Sequence, residues 1–231
     1  QSLAHHGYEV LQQGPCYAYV DSLDALAVST LSDAQIALIM QHGGDSVIKC
    51  EALWERAMEI GPQALARICK GNTEKVLREF VTDALERGKN TDLDLNAKPQ
   101  VEYESVTALM IAAKGLRVEH ARFLIKQSGV DQTLKGENDQ NLIHMAAQAT
   151  GDELYQDCSQ APRLLEMLRV LVDEAGLDPA ESSKCDSAKQ RKNVLHYLAE
   201  NTSIGEDAFT ECTSLTSITL PEGLTSIGEE T

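Results

Sequence analysis

Histidine and cysteine are the side chains that can serve as bases, nucleophiles or metal ligands near neutral pH. The chain holds six of each. The histidines are His5, His6, His42, His120, His144 and His196, and the cysteines are Cys16, Cys50, Cys69, Cys158, Cys185 and Cys212. No two cysteines stand closer than 19 residues, so there is no Cys-x-x-Cys ligand pair. A His-Glu-x-x-His pattern is missing, which leaves zinc hydrolysis without its ligand spacing. No Gly-x-Ser-x-Gly elbow and no Gly-x-Gly-x-x-Gly or phosphate loop occurs, so acyl transfer and nucleotide binding lack their motifs. The adjacent pair His5 and His6 reads as solvated. His144 and His196 each follow an Asn by three residues and read either as ligands or bases, or as structural imidazoles. No catalytic residue, cofactor or metal is assigned, and the chain is expected not to be an enzyme.

Charge restricts the partners. The formal net charge is −16. Residues 1–60 carry net −6, residues 61–100 net +1, residues 101–200 net −5, and residues 201–231 six acids and no base. Such a field repels nucleic-acid phosphates and anionic lipid, so neither is an expected partner. It favours solubility and would speed encounter with a basic protein. One basic patch, Lys184, Lys189, Arg191 and Lys192, interrupts it, either as a solvated loop or as a dock for an acidic partner.

The widely spaced cysteines read as reduced thiols of a cytoplasmic protein, although their even number would also permit disulfides. No run of 18 apolar residues occurs and no signal peptide is visible, though the chain begins with Gln1 and not Met. Asn201-Thr202-Ser203 is a glycosylation sequon, which has meaning only in a secreted protein.

Behind these residues stand repeated elements. Thr107-Ala108-Leu109-Met110-Ile111-Ala112-Ala113 returns 34 residues later as Asn141-Leu142-Ile143-His144-Met145-Ala146-Ala147. Asn193-Val194-Leu195-His196-Tyr197-Leu198-Ala199 follows after another 52. Thr and Asn are good N-caps, and the alanines allow a neighbouring helix to approach closely. A second apolar stripe follows each of the first two copies: Val118, Ala121, Leu124 and Ile125, then Leu164, Leu165, Leu168, Leu171 and Val172. Gly129-Val130-Asp131 and Gly176-Leu177-Asp178 then supply left-handed turns. An upstream unit runs from Leu65 through Val76, Leu77, Phe80, Val81 and Leu85 to Gly88.

This helix–helix–Gly-x-Asp unit resembles the ankyrin repeat over roughly residues 62–200. His144 and His196 occupy the family's His position, where the resemblance implies that the imidazole bonds to the backbone of a neighbouring turn. Met110 departs from that position, and no copy has the family's Pro. The longer second interval implies 13 extra residues around Thr150–Pro162 and five more after Asp178. At the C-terminus Thr202-Ser203-Ile204-Gly205-Glu206-Asp207 returns after 23 residues as Thr225-Ser226-Ile227-Gly228-Glu229-Glu230. Ala208-Phe209, Cys212 and Leu215-Thr216-Ser217-Ile218-Thr219-Leu220-Pro221 lie between. This stretch resembles the BspA-like leucine-rich repeat. In residues 1–61, Ser32 and Gln35 form a capping box for a helix through Ile36, Ile39 and Met40, broken at Gly43-Gly44. A second helix is predicted from Val47 through Cys50, Trp54 and Ala57 to Gly61-Pro62. The pair faintly resembles an armadillo-type repeat.

The expected architecture is therefore mainly α: a solenoid of ankyrin-type repeats over 62–200, a helical cap over 1–61, and the start of a leucine-rich segment over 201–231. The resemblance implies a monomeric scaffold that binds another protein through its concave face and its loop tips, near 92–105, 131–140 and 178–192. Lys135, Glu137, Asp139, Lys189, Arg191 and Lys192 are the candidate contacts. A regulatory or targeting region of a longer enzyme, such as a kinase or ligase, and part of a cell-surface adhesion protein are the rival readings. One 23-residue unit cannot close a core by itself, since each repeat buries its apolar face against neighbours. The leucine-rich array is thus expected to continue beyond Thr231. Hydrogen exchange checks this: amides around Leu215–Leu220 should exchange fast in the 231-residue chain, and strong protection there would overturn the expectation.

Overall fold

The computed structural model describes residue 20 and residues 23–87, 93–101, 104–148, 161–179, 181, 183–184 and 191–192. The third helical copy, the sequon, Lys189 and the whole leucine-rich stretch lie outside the described residues, as do His5, His6 and His196.

After a short helix α1 (Ala25–Ser29), helix α2 (Asp33–His42) starts where the capping box places it. The amide of Gln35 donates to Ser32 Oγ at 3.3 Å, and the amide of Ser32 donates to Gln35 Oε1 at 2.9 Å. The next predicted helix is in fact two: a single turn α3 (Ser46–Lys49) and α4 (Glu51–Ile60), divided at Cys50. Cys50 leaves helical backbone there, at φ −93° and ψ 91°, and its thiol lies 3.8 Å from the Leu23 carbonyl. That contact, 27 residues away in sequence, is invisible to local periodicity.

Gly61 turns the chain directly into α5 (Pro62–Gly71), and α6 (Glu74–Arg87) follows. A two-stranded antiparallel pair, β1 (Gln100–Val101) with β2 (Glu104–Ser105), precedes α7 (Ala108–Lys114) and α8 (Val118–Ile125). A 3₁₀ turn (Glu137–Asp139) leads to α9 (Leu142–Gln148). Helix α10 (Ala161–Arg169) then runs into a π turn (Val170–Glu174), and a second pair joins β3 (Ser183–Lys184) to β4 (Arg191–Lys192).

The helices stack in two rows. Helices α2, α5, α7 and α9 pack in succession, and each lies against its own follower, α4, α6, α8 and α10. Small residues set the spacing of the first row: Ala64, Ala66, Ala112, Ala113, Ala146 and Ala147 are all fully buried. Gly71 belongs to the same logic, because a Cβ there would stand 2.6 Å from Gln41 Cγ on α2. One continuous apolar core runs from Val20 to Leu171 and crosses residue 61 without a break. Each large aliphatic side chain buried in it stabilises by roughly 1.5–3 kcal/mol.

The predicted caps recur with one chemistry. Met110 N donates to Thr107 Oγ1 at 3.2 Å, and Met110 Sδ folds back to the Thr107 amide at 3.5 Å. In the next copy Asn141 Oδ1 accepts the amides of Ile143 and His144, and the imidazole Nδ1 turns back to 3.3 Å from the Asn141 amide. Met110 thus occupies the place of His144. The His144 Nδ1 closes on the cap of its own helix, where the resemblance implied a neighbouring turn.

Two stripe positions are corrected. Leu85 is 51% exposed and Leu165 is 60% exposed, though both were expected to be buried. On α6 the neighbouring Ala84 faces the core instead. Beyond α10 the π turn closes through Ala175 N to Val170 O at 3.1 Å. Val170 and Leu171 are buried with Leu164 and Met167, and 164, 167 and 171 fall on one helical face, which leaves Leu165 outside. Gly176 then takes the expected positive φ, 66°, and Leu177 N reaches back to Leu171 O at 3.1 Å. Leu164→Ser should therefore cost about 2–4 kcal/mol, and Leu165→Ser less than about 0.5 kcal/mol. Urea unfolding of the two variants checks this; equal losses would restore the wider stripe.

Candidate protein-binding surface

The loops between repeats are built on aspartates. A short acceptor side chain captures the amide two residues ahead and turns the chain. Asp94 Oδ1 accepts from the Asn96 amide at 2.9 Å, and Asp131 Oδ1 accepts from the Thr133 amide at 2.9 Å and from its hydroxyl at 2.7 Å. The Thr133 bonds hold the Asp131 carboxyl below its ordinary range.

Rungs then join loop to loop. Asn96 donates through Nδ2 to Gly129 O and accepts from the Asp131 amide, both at 2.7 Å. Lys98 Nζ donates to the Lys135 carbonyl at 2.6 Å. Lys135 pairs in turn with Glu181, whose other oxygen accepts from Asn141 Nδ2 at 3.0 Å. Those two bonds, Lys135 first, lower the Glu181 carboxyl, and Glu181 raises the Lys135 ammonium. Three successive loops thus form one tied surface.

The candidate contacts fall on it as follows. Lys135 is a rung between loops, engaged with Glu181. Glu137 is exposed on the 3₁₀ turn, which is closed by Gly136 N to Gln140 O at 2.8 Å. Asp139 ends that turn at φ +56°, and β3 lies beside it. Arg191 and Lys192 form β4, with Arg191 opposite Lys184 and Lys192 opposite Ser183. The structure thus sets β3, to which β4 is paired, beside the 3₁₀ turn, segments that are far apart in sequence.

A buried polar junction elsewhere in the stack escaped the sequence reading. Asn72, at the end of α5, donates through Nδ2 to the Met40 carbonyl and accepts the Thr73 amide at 2.7 Å through Oδ1. Its own carbonyl takes Arg117 Nη1 at 3.1 Å and faces His120 Nε2 at 3.2 Å. Arg117 Nη2 donates to the Lys70 carbonyl at 3.1 Å. Burial, then Arg117, lowers the His120 pKa; the Asn72 bond and the more distant Glu74 and Glu119 oppose this. The only local signal is an Arg just ahead of an apolar stripe, which a solvated side chain would give equally well.

Other chemistry is sparse. The two described cysteines, Cys50 and Cys69, are free thiols, and burial pushes the Cys69 thiol well up. No group of three His, Cys, Asp or Glu is placed to hold a metal ion among the described residues. No helix among them is long and apolar enough to cross a membrane.

Residues 190–231 match the family model described as BspA type leucine rich repeat region (6 copies). The match begins 11 residues before residue 201, so it takes in Asn193–Ala199, the stretch that resembles a third ankyrin opening. No curated protein and no solved structure matches the chain.

His120 gives the interior a pH dependence of definite sign. Its folded pKa lies below 6.5, so the unfolded chain binds the proton first as pH falls. The stability it contributes is complete above pH 6.5 and is lost as pH drops below that value. His42, lowered by burial and by Arg67 and Lys70, acts in the same direction. Urea midpoints of the wild type should fall between pH 7.5 and 5.5, and His120→Gln should flatten that slope. An unchanged slope would remove His120 from the account.

Proposed function

We propose that this chain is a protein-binding scaffold, assembled from ankyrin-type helical repeats that lead into leucine-rich repeats, and not an enzyme. The observation that carries the reading is the tied loop row. Loops on a surface cost entropy to order on binding. Here Asn96, Lys98, Lys135 and Glu181 already fix successive loops to one another. A partner would meet a preorganised face, in which the turn of Glu137 and Asp139 lies beside β3 and the strand β4 paired with it. Support for the ankyrin type comes from the 34-residue return of one cap chemistry at Thr107 and Asn141. The two stacked helical rows support it too. The leucine-rich match supports a role in protein contact, because stacked repeats of this kind present extended binding surfaces.

The division into 1–61, 62–200 and 201–231 is kept as a working scheme, as are a monomeric state and a cytoplasmic location. A second reading, a cell-surface adhesion protein, is favoured by the same BspA-type match. Fractionation of tagged protein separates the two locations.

Screens of the purified chain for hydrolase and transferase turnover should be blank. Turnover abolished by one His or Cys substitution would overturn the reading. Against a partner recovered by crosslinking and then purified, Glu137→Lys with Lys192→Glu should weaken binding by about tenfold or more while leaving the melting temperature within a few degrees. Unchanged affinity would take the loop row out of the interface.

A further inference from the structure

The seams on either side of the Asn72 junction are joined by ion pairs. Arg56 reaches from α4 to Asp33 at the start of α2, and Lys75 reaches from α6 to Asp45 ahead of α3. On the other side Arg122 joins α8 to Glu166 and Glu174. In each pair a carboxylate answers the cation. Between α5 and α8, Arg117 and His120 meet backbone carbonyls instead. One oxygen, that of Asn72, takes both Arg117 Nη1 at 3.1 Å and His120 Nε2 at 3.2 Å. A carbonyl oxygen only accepts, so Nε2 carries a hydrogen and a further proton must go to Nδ1. The bond to Asn72 therefore survives protonation. What protonation adds is a positive charge on a ring that is 5% exposed, beside a guanidinium held by the same oxygen.

The nearby charges do not offset it. Glu74 on α6 and Glu119 on α8 favour the charged ring, but less than burial and Arg117 oppose it. Glu166 and Glu174 are taken by Arg122. Lys70 and Lys114 stand near the ends of α5 and α7.

The junction sits at one end of the helices. Asn72 closes α5, Arg117 opens α8, and His120 lies in the first turn of α8. The rungs of Asn96, Lys98 and Lys135 lie at the opposite ends, in the loops that precede α7 and α9. Hydrogen bonds hold Asp131 and Glu181 there below the ordinary carboxylate range, so both stay charged in mild acid. One end of the seam responds to a proton in mild acid, and the other does not.

We propose that this junction is an acid-operated hinge: a proton on His120 parts α8 from the end of α5, and the array opens there while its loop row stays tied. In the opened seam the ring meets water and holds the proton more readily than in the closed one, so opening is favoured as pH falls below 6.5. Curvature of a repeat array follows from the small rotation between layers. The hinge thus alters the shape offered to a partner without unfolding the stack.

Amide exchange of the full chain at pH 7.5 and 5.5, corrected for the intrinsic rate at each pH and repeated across low urea, tests this. The amides of Asn72, Arg117 and Ala121, bonded to the carbonyls of Ile68, Ala112 and Arg117, should lose protection by about three- to tenfold at pH 5.5. They should do so with little dependence on urea, the mark of a local opening. Gly61, closing α4, and Met145, in α9, should exchange only through steeply urea-dependent unfolding. In His120→Gln the pH response of the seam amides should vanish, and in His42→Gln it should remain. Equal urea dependence at the seam and at Gly61 and Met145 would overturn the hinge and leave only a global loss of stability. A seam response that survives His120→Gln would overturn it as well. Should His120→Gln fail to fold, the ring signal of His120 in the wild type still decides: titration at 6.5 or above in the folded chain would overturn the hinge.

Discussion

Asn72 holds the stack together at the point where stacking is hardest. A helix end leaves carbonyls without partners, and buried polar groups left unpaired cost about 1–3 kcal/mol each. In a two-row array every helix of the first row ends against its neighbours, so those carbonyls cannot all reach water. Asn72 satisfies the Met40 carbonyl at the end of α2. Arg117 and His120, at the start of α8, satisfy the carbonyls of Lys70 and Asn72 at the end of α5. Three layers are thereby fixed in register by one small buried network. The alanine and glycine contacts around it can then be close, since nothing polar is left stranded between the helices.

The second row is held differently. Arg122 reaches Glu119 on its own helix, Glu166 on α10 and Glu174 on the π turn, all within 2.9 Å. Lys126 adds a second cation to Glu174. Such half-exposed pairs are screened by solvent and contribute little individually, but their geometry orients α8 and α10. Arg78 lies over the Phe123 ring at 4.7 Å and links α6 to α8.

The architecture and the proposed binding face share the same contacts. The rungs from Asn96 to Gly129 and from Lys135 to Glu181 set the spacing of the repeats. They also set the spacing of whatever the loops present to a partner. A rigid face of this sort lowers the ordering cost of binding, which is what the proposed scaffold role would draw on.

Local chemistry alone determined much of this chain. Ser32 with Gln35, Thr107 and Asn141 marked three helix starts, because capping is decided within four residues. The apolar stripes and the 34-residue return gave the helix pairs, and Gly176 their turn, for the same local reason. The leucine-rich stretch was legible from its repeated residues, and a family match supports it. Tertiary structure decided the rest. The corner at Cys50 lies against the Leu23 carbonyl, 27 residues away. Leu165 faces outward because Leu164 and Met167 take the side of α10 that packs inward. Lys135 looked like a free loop cation, and only its pairing with Glu181, 46 residues away, makes it a rung. Asn72, Arg117 and His120 gave no pattern at all, since each meets partners across layers, and periodicity along the chain carries no record of what lies opposite.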